Sequence, residues 1–281
     1  PSLRRTPPYG GVLRRLGVFK VYEMKPPEKL YKFHVANLHA ISGGLEHVLT
    51  RGRDAVARSK EKEVETFVRL YAFLLGAWSE CRLLKLIFEP NAFTDIERRK
   101  ILAETALNRW HKAIELAFRK HCNISSAELK PPAMPYGSHS QYLSLKTIID
   151  NDLHYIIALR NKLAHGQWIY PLVDDLSDIA QTQMNALRHE NLLSLLQKRT
   201  LIESVCAAVH DLAVSLPTFQ RDWDMHYRHI EQTRLNIQKK SYATWATSLR
   251  LKYENGQERR KENTKAAGSL PAPSTAVSAI S

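Results

Sequence analysis

Residues 61–90 read EKEVETFVRLYAFLLGAWSECRLLKLIFEP. Val64, Phe67, Val68, Tyr71, Leu74, Leu75, Trp78 and Arg82 recur at spacings of three and four. That period is helical, and its density of apolar residues predicts a largely buried helix of about 27 residues. Pro90 ends it, because a proline inside a helix removes a hydrogen bond and clashes with the preceding turn. Strand patterns are nearly absent elsewhere, so the expected class is all-α.

Outward from this helix the same period returns. Residues 94–122 (TDIERRKILAETALNRWHKAIELAFRKHC) predict one helix, with Thr94 as N-cap and acids in its first turn. Residues 123–140 are rich in proline and read as a loop. Residues 144–165 (SLKTIIDNDLHYIIALRNKLAH) predict a third helix, stopped by Gly166. A loop with Pro171 follows, then two or more helical segments over 176–216. Pro217 breaks the pattern before a more polar helix.

The expected organisation has four parts: a basic N-terminal extension, 1–60, partly helical; a helical bundle, 61–216; an extra C-terminal helix, 217–255; and a disordered tail, 256–281. Within the first part, VFKVYEM could form a short strand, and Gly43–Gly44 is a candidate helix break.

Charge narrows the partners. The net charge is +13, and residues 1–60 hold twelve Lys or Arg against four acids. Such an excess favours a polyanion, nucleic acid above all. Cys81, Cys122 and Cys206 are far apart and form no CxxC pair, which argues against a disulfide framework or structural zinc. No apolar run reaches the roughly 20 residues that span a bilayer, and the N-terminal PSLRRTPPYGG lacks a signal-peptide core. The expectation is a soluble, cytoplasmic protein without a membrane partner.

The third helix carries the chemistry. Leu153, Ile156, Ile157, Arg160, Leu163 and Ala164 share one broad face, so Arg160 lies in an apolar stripe. An unpaired guanidinium there is costly. It needs a carboxylate, Glu80 or Glu104 being candidates, or a wet cleft. His154, Ala158, Asn161 and His165 form the adjoining stripe, and Asn161 can touch His165 four residues on.

An imidazole at a helix C-terminus meets the negative end of the helix dipole. Imidazoles exchange protons near neutrality. Arg suits bidentate phosphate binding, and Asn can orient an imidazole or a phosphate oxygen. Together Arg160, Asn161 and His165 suffice to cleave RNA without a metal or cofactor. The substrate's 2′-hydroxyl is the nucleophile, and the protein moves protons and stabilises the charged phosphorane. Lys162, His154 and Trp168 are candidate RNA contacts, through charge or stacking. The Arg-to-His spacing recurs in RDWDMH, Arg221 to His226, where Asp222 and Asp224 would repel phosphate and no glycine follows.

The segment LRNKLAHG, ending an amphipathic helix in a basic all-helical chain, resembles the signature of the HEPN family. Arg160, Asn161 and His165 match the family's Arg, polar residue and His position by position. The resemblance covers residues 60–215 at most, and its specific core is the seven residues 160–166. It implies an HEPN-like helical bundle and a metal-independent endoribonuclease, used as a toxin or in anti-phage defence. It further implies a homodimer with a composite cleft, products with 2′,3′-cyclic phosphate and 5′-hydroxyl ends, and an antitoxin or sensor partner. Some HEPN toxins carry a modified Tyr two residues after the His; here that position is Gln167, which argues against that mode of neutralisation. Two alternatives stay open: an HEPN-like module that binds RNA, nucleotide or protein without cleaving, and a helical DNA-binding or scaffold protein in which Arg160 and His165 are structural.

Overall fold

A computed structural model of the chain describes residues 26–268. Within them the protein is all-α, with ten α-helices and two longer connections, 123–135 and 165–180. VFKVYEM falls outside the described residues.

The first helix, α1 (Pro27–Ala57), starts at a proline, whose missing N–H is no loss in the first turn. It belongs to the helical core. Leu45, Leu49 and Val56 are buried in the same cluster as α2. Gly43–Gly44 does not break it, because packing against α2 (Glu61–Phe88) along its length outweighs two poor helix formers. Only three residues join the two helices, and Ser59 turns the chain with a left-handed φ of 55°. A polar link crosses the pair: Trp78 Nε1–H donates to Ser42 Oγ at 3.0 Å, and Ser42 donates to the Leu38 carbonyl at 2.7 Å.

The segment 94–122, expected as one helix, is two: α3 (Asp95–Leu102) and α4 (Ala106–Cys122). Thr94 is the N-cap, as expected, and it closes a reciprocal capping box with Glu97. The break has its own stabiliser, since the Arg109 guanidinium reaches back to the carbonyls of Leu102 and Glu104. Those acceptors would otherwise lack partners at a helix end.

The third predicted helix begins earlier than Ser144. Helix α5 (Tyr136–Ile148) follows directly on Pro135, runs through a π-helical turn at Ile149–Leu153, and continues as α6 (His154–Ala164). Buried Met134 anchors its entry. The prolines that read as loop therefore end where α5 begins.

After α6 come α7 (Gln181–His189) and α8 (Leu192–Val214), the latter the apolar centre of the second half. Pro217 lies in the first turn of α9 (Leu216–Lys239) and does not precede the helix. One C-terminal helix was expected; the structure has a second, α10 (Tyr242–Gly268), which packs on α1. Residues 256–268 of the expected disordered tail are thus helical, and 269–281 lie outside the described residues. Helix α2 sits at the centre, packed against α1, α6 and α8. No described helix is long and apolar enough to cross a membrane.

Candidate functional site

Helix α6 ends in a Schellman turn. The Gln167 N–H bonds to the Lys162 carbonyl and the Gly166 N–H to the Leu163 carbonyl, with Gly166 at a φ of +76°. A side chain at that φ is strained, so glycine fits this stop. The turn leaves His165 at the C-cap, exposed to solvent.

Three of the four motif-region side chains open onto one surface. Asn161, Lys162 and His165 line a groove of about 940 Å³ beside α6. The far wall is the segment 167–180, which folds back on itself through an antiparallel bridge between Leu172 and Ile179. Gln167 pins that wall by accepting from the Leu172 N–H at 2.8 Å. Asp175 closes the tip by accepting from both N–H and Oγ of Ser177. This structured tip was expected only as a loop.

Arg160 faces α2 and is not among the groove-lining residues. It forms an ion pair with Glu80, and its Nη1 donates to Asn161 Oδ1 at 2.9 Å. The apolar stripe therefore resolves by pairing, with Glu80 as the acid. The pair is not sealed, since the Arg160 side chain keeps 24% of its exposure. It links the α2 carboxylate to Asn161 through one guanidinium, and Asn161 has its amide N–H groups left to face the groove.

Lys162 also has a partner. Its ammonium lies 3.0 Å from Asp174 on the opposite wall. Asp174 is fully exposed, so the contact is screened by water and contributes little by itself.

Two expected contacts stand elsewhere. His154 is at the other end of α6, about 16 Å away at 1.5 Å per residue, and does not line the groove. Trp168 packs against the core and donates its indole N–H to the Leu163 carbonyl at 3.0 Å, helping to close the end of α6. In the second match to the spacing, Arg221 is bound by Asp222, and His226 is buried against Asp211 at 2.9 Å.

Sequence reasoning passed over Gly76, which lets α6 approach α2 at Arg160, and Asp174, which faces Lys162. Gly76 interrupts an apolar run and was a visible signal for close backbone approach. Asp174 sits in an acidic stretch, DDLSD, whose position across the groove depends on the hairpin.

Among the described residues, no group of three or more His, Cys, Asp or Glu side chains is placed to hold a metal ion. No family model, no curated protein and no solved structure matches the chain.

Proposed function

We propose that the protein is a metal-independent endoribonuclease of the HEPN type, acting on RNA in a toxin or anti-phage role. The observation that carries this reading is the exposed His165–Asn161 edge on a groove large enough for a nucleotide, with Arg160 next in the chain. The substrate's 2′-hydroxyl attacks the adjacent phosphorus while His165 accepts its proton. The bond from phosphorus to the 5′-oxygen breaks, and that oxygen takes a proton from a second imidazole. The products are a 2′,3′-cyclic phosphate and a 5′-hydroxyl. The Asn161 amide, oriented by Arg160, stabilises the charge that builds on the phosphorane, and Arg160 adds its own charge where the substrate draws it from Glu80.

A homodimer supplies the second imidazole and joins two half-sites. The exposed Ile169, Tyr170, Leu176 and Ile179 on the wall segment offer an apolar surface for a second copy. Its basic charge and open groove suit an RNA partner, with an antitoxin or sensor protein as the restraint.

A second reading is favoured by one feature. Arg160 is held by Glu80 and Lys162 by Asp174, so both cations already have carboxylate partners. That suits an HEPN-like module that binds RNA or nucleotide without cleaving it.

The deciding experiment is cleavage of mixed RNAs in EDTA by the wild type and by His165→Ala. Loss of about 100-fold or more in rate in the variant, with cyclic-phosphate ends from the wild type, supports acid–base catalysis at this residue. Binding without cleavage by the wild type favours the second reading.

A further inference from the structure

We infer that the groove between α1, α8 and the α9–α10 turn is a binding site for single-stranded nucleic acid. It has a volume of about 780 Å³ and is separate from the groove at His165. Arg53, Lys239 and Lys240 stand on its rim, and among the described residues no acidic side chain lines it. All three are exposed, and none has a carboxylate within ion-pair distance among the described residues. Three exposed cations around one concavity raise the local concentration of anions.

The floor identifies the kind of anion. Trp245 is half-buried there, with Leu193 and Leu196 beside it. Trp245 is held by ring contact with Tyr242, at 5.7 Å between centroids. A fixed aromatic surface beside a cationic rim matches a nucleotide strand: the bases stack on the indole and the phosphates follow the rim. A lipid headgroup or free phosphate would use the rim and leave the floor bare. The hydroxyls agree. Ser241 Oγ accepts from the Thr244 N–H, so its own proton is available, and the exposed Thr244 hydroxyl stands in the first turn of α10. A paired duplex cannot present a base face to Trp245, so the ligand is single-stranded.

This site goes beyond the chemistry assigned to His165 and fails or stands separately from it. The test uses the full chain carrying His165→Ala, which suppresses the cleavage proposed above. The probe is a labelled single-stranded oligonucleotide of about 12 nucleotides, as RNA and as DNA. Binding is followed by anisotropy over a range of salt. Lys239→Glu with Lys240→Glu is expected to weaken binding tenfold or more. It should also flatten the slope of log affinity against log salt by about 1.4, for two lost phosphate contacts. Trp245→Leu is expected to weaken binding about tenfold and to abolish ligand-induced quenching of tryptophan fluorescence, with Trp245→Phe restoring part of the affinity. Thermal melts check that each variant folds. Arg259→Glu with Arg260→Glu, on the exposed far part of α10, changes the net charge equally and is expected to bind as well as the parent. Equal weakening by both charge reversals, quenching that survives Trp245→Leu, equal quenching by a duplex, or no binding by the parent would each overturn the proposal.

Discussion

Gly76 of α2 packs directly against Arg160 of α6. A Cβ built at Gly76 would stand 2.4 Å from the Arg160 Cβ and 3.2 Å from the Ile156 carbonyl oxygen. The absence of a side chain at Gly76 is what allows the motif helix to lie against the central helix, with Glu80 one turn on to receive the guanidinium. Gly76→Ala must therefore push α6 outward. The cost expected for overpacking a core by one carbon is about 1–3 kcal/mol, against a gain of up to about 1 kcal/mol in helix propensity. Chemical denaturation should show a net loss of stability, and an unchanged or higher midpoint would refute the packing argument.

Asp174 competes with any phosphate for Lys162. Replacing it by Asn keeps the shape of the hairpin tip and removes one negative charge from the groove wall. RNA binding by Asp174→Asn is expected to tighten, and the salt slope to steepen by about 0.7, the share of one phosphate contact on a single strand. A titration showing the same affinity and slope as the parent would mean that RNA does not use Lys162.

The class and the motif helix were legible because both depend on local order. The period of Val68, Tyr71, Leu75 and Trp78 survives in the structure as one buried face, and Gly166 stops α6 through its own backbone geometry. Thr94 likewise announced itself as an N-cap, and the structure adds its reciprocal partner Glu97. What was not legible depends on partners distant in sequence. The α3–α4 break is held by Arg109 folding back on two carbonyls, which no periodicity encodes. Gly43–Gly44 looked like a break because its propensity is poor, and packing on α2 overrode it. The α9–α10 break contains neither Gly nor Pro, and only Ser241, a good N-cap residue, marked it. At the site, the sequence named the acid for Arg160 as one of two, and topology chose Glu80. It also placed Trp168 among RNA contacts, whereas its indole N–H closes the helix end.

The Thr94 capping box offers a check on the fold that leaves the site untouched. Thr94 accepts from the Glu97 N–H, and the Glu97 carboxylate accepts from the Thr94 N–H at 2.8 Å. Thr94→Ala removes the side chain that caps α3. A loss of about 1 kcal/mol in unfolding free energy is expected, with RNA binding equal to the parent's. A stability change within error would show that α3 does not depend on its cap, and altered RNA binding would tie α3 to the site.

Acid should weaken the fold well before its carboxylates titrate, through histidines that are held neutral. His121 donates from its ring to the Leu212 carbonyl in the core, and burial, then the neighbouring Lys120 charge, pushes its pKa down. His34 stacks on Phe88, and burial pushes it down as well. In the unfolded chain both titrate near 6.5. Between the lowered folded value and about 6.5 the unfolded state binds more protons, so stability is full above that window and falls as pH drops through it. Glu89 has the opposite balance: burial raises it, but the Lys85 hydrogen bond and charge, together with His210, bring it below its usual range. Its stabilisation is lost only lower, as pH falls below about 4.3. Urea midpoints at several pH values between 8 and 5 for the wild type and His121→Gln separate these effects. Gln keeps an N–H donor toward Leu212 but cannot titrate. The expected result is a wild-type midpoint that falls below about pH 6.5 and a variant with a shallower decline. Parallel profiles would show that His121 is not kept neutral by the fold.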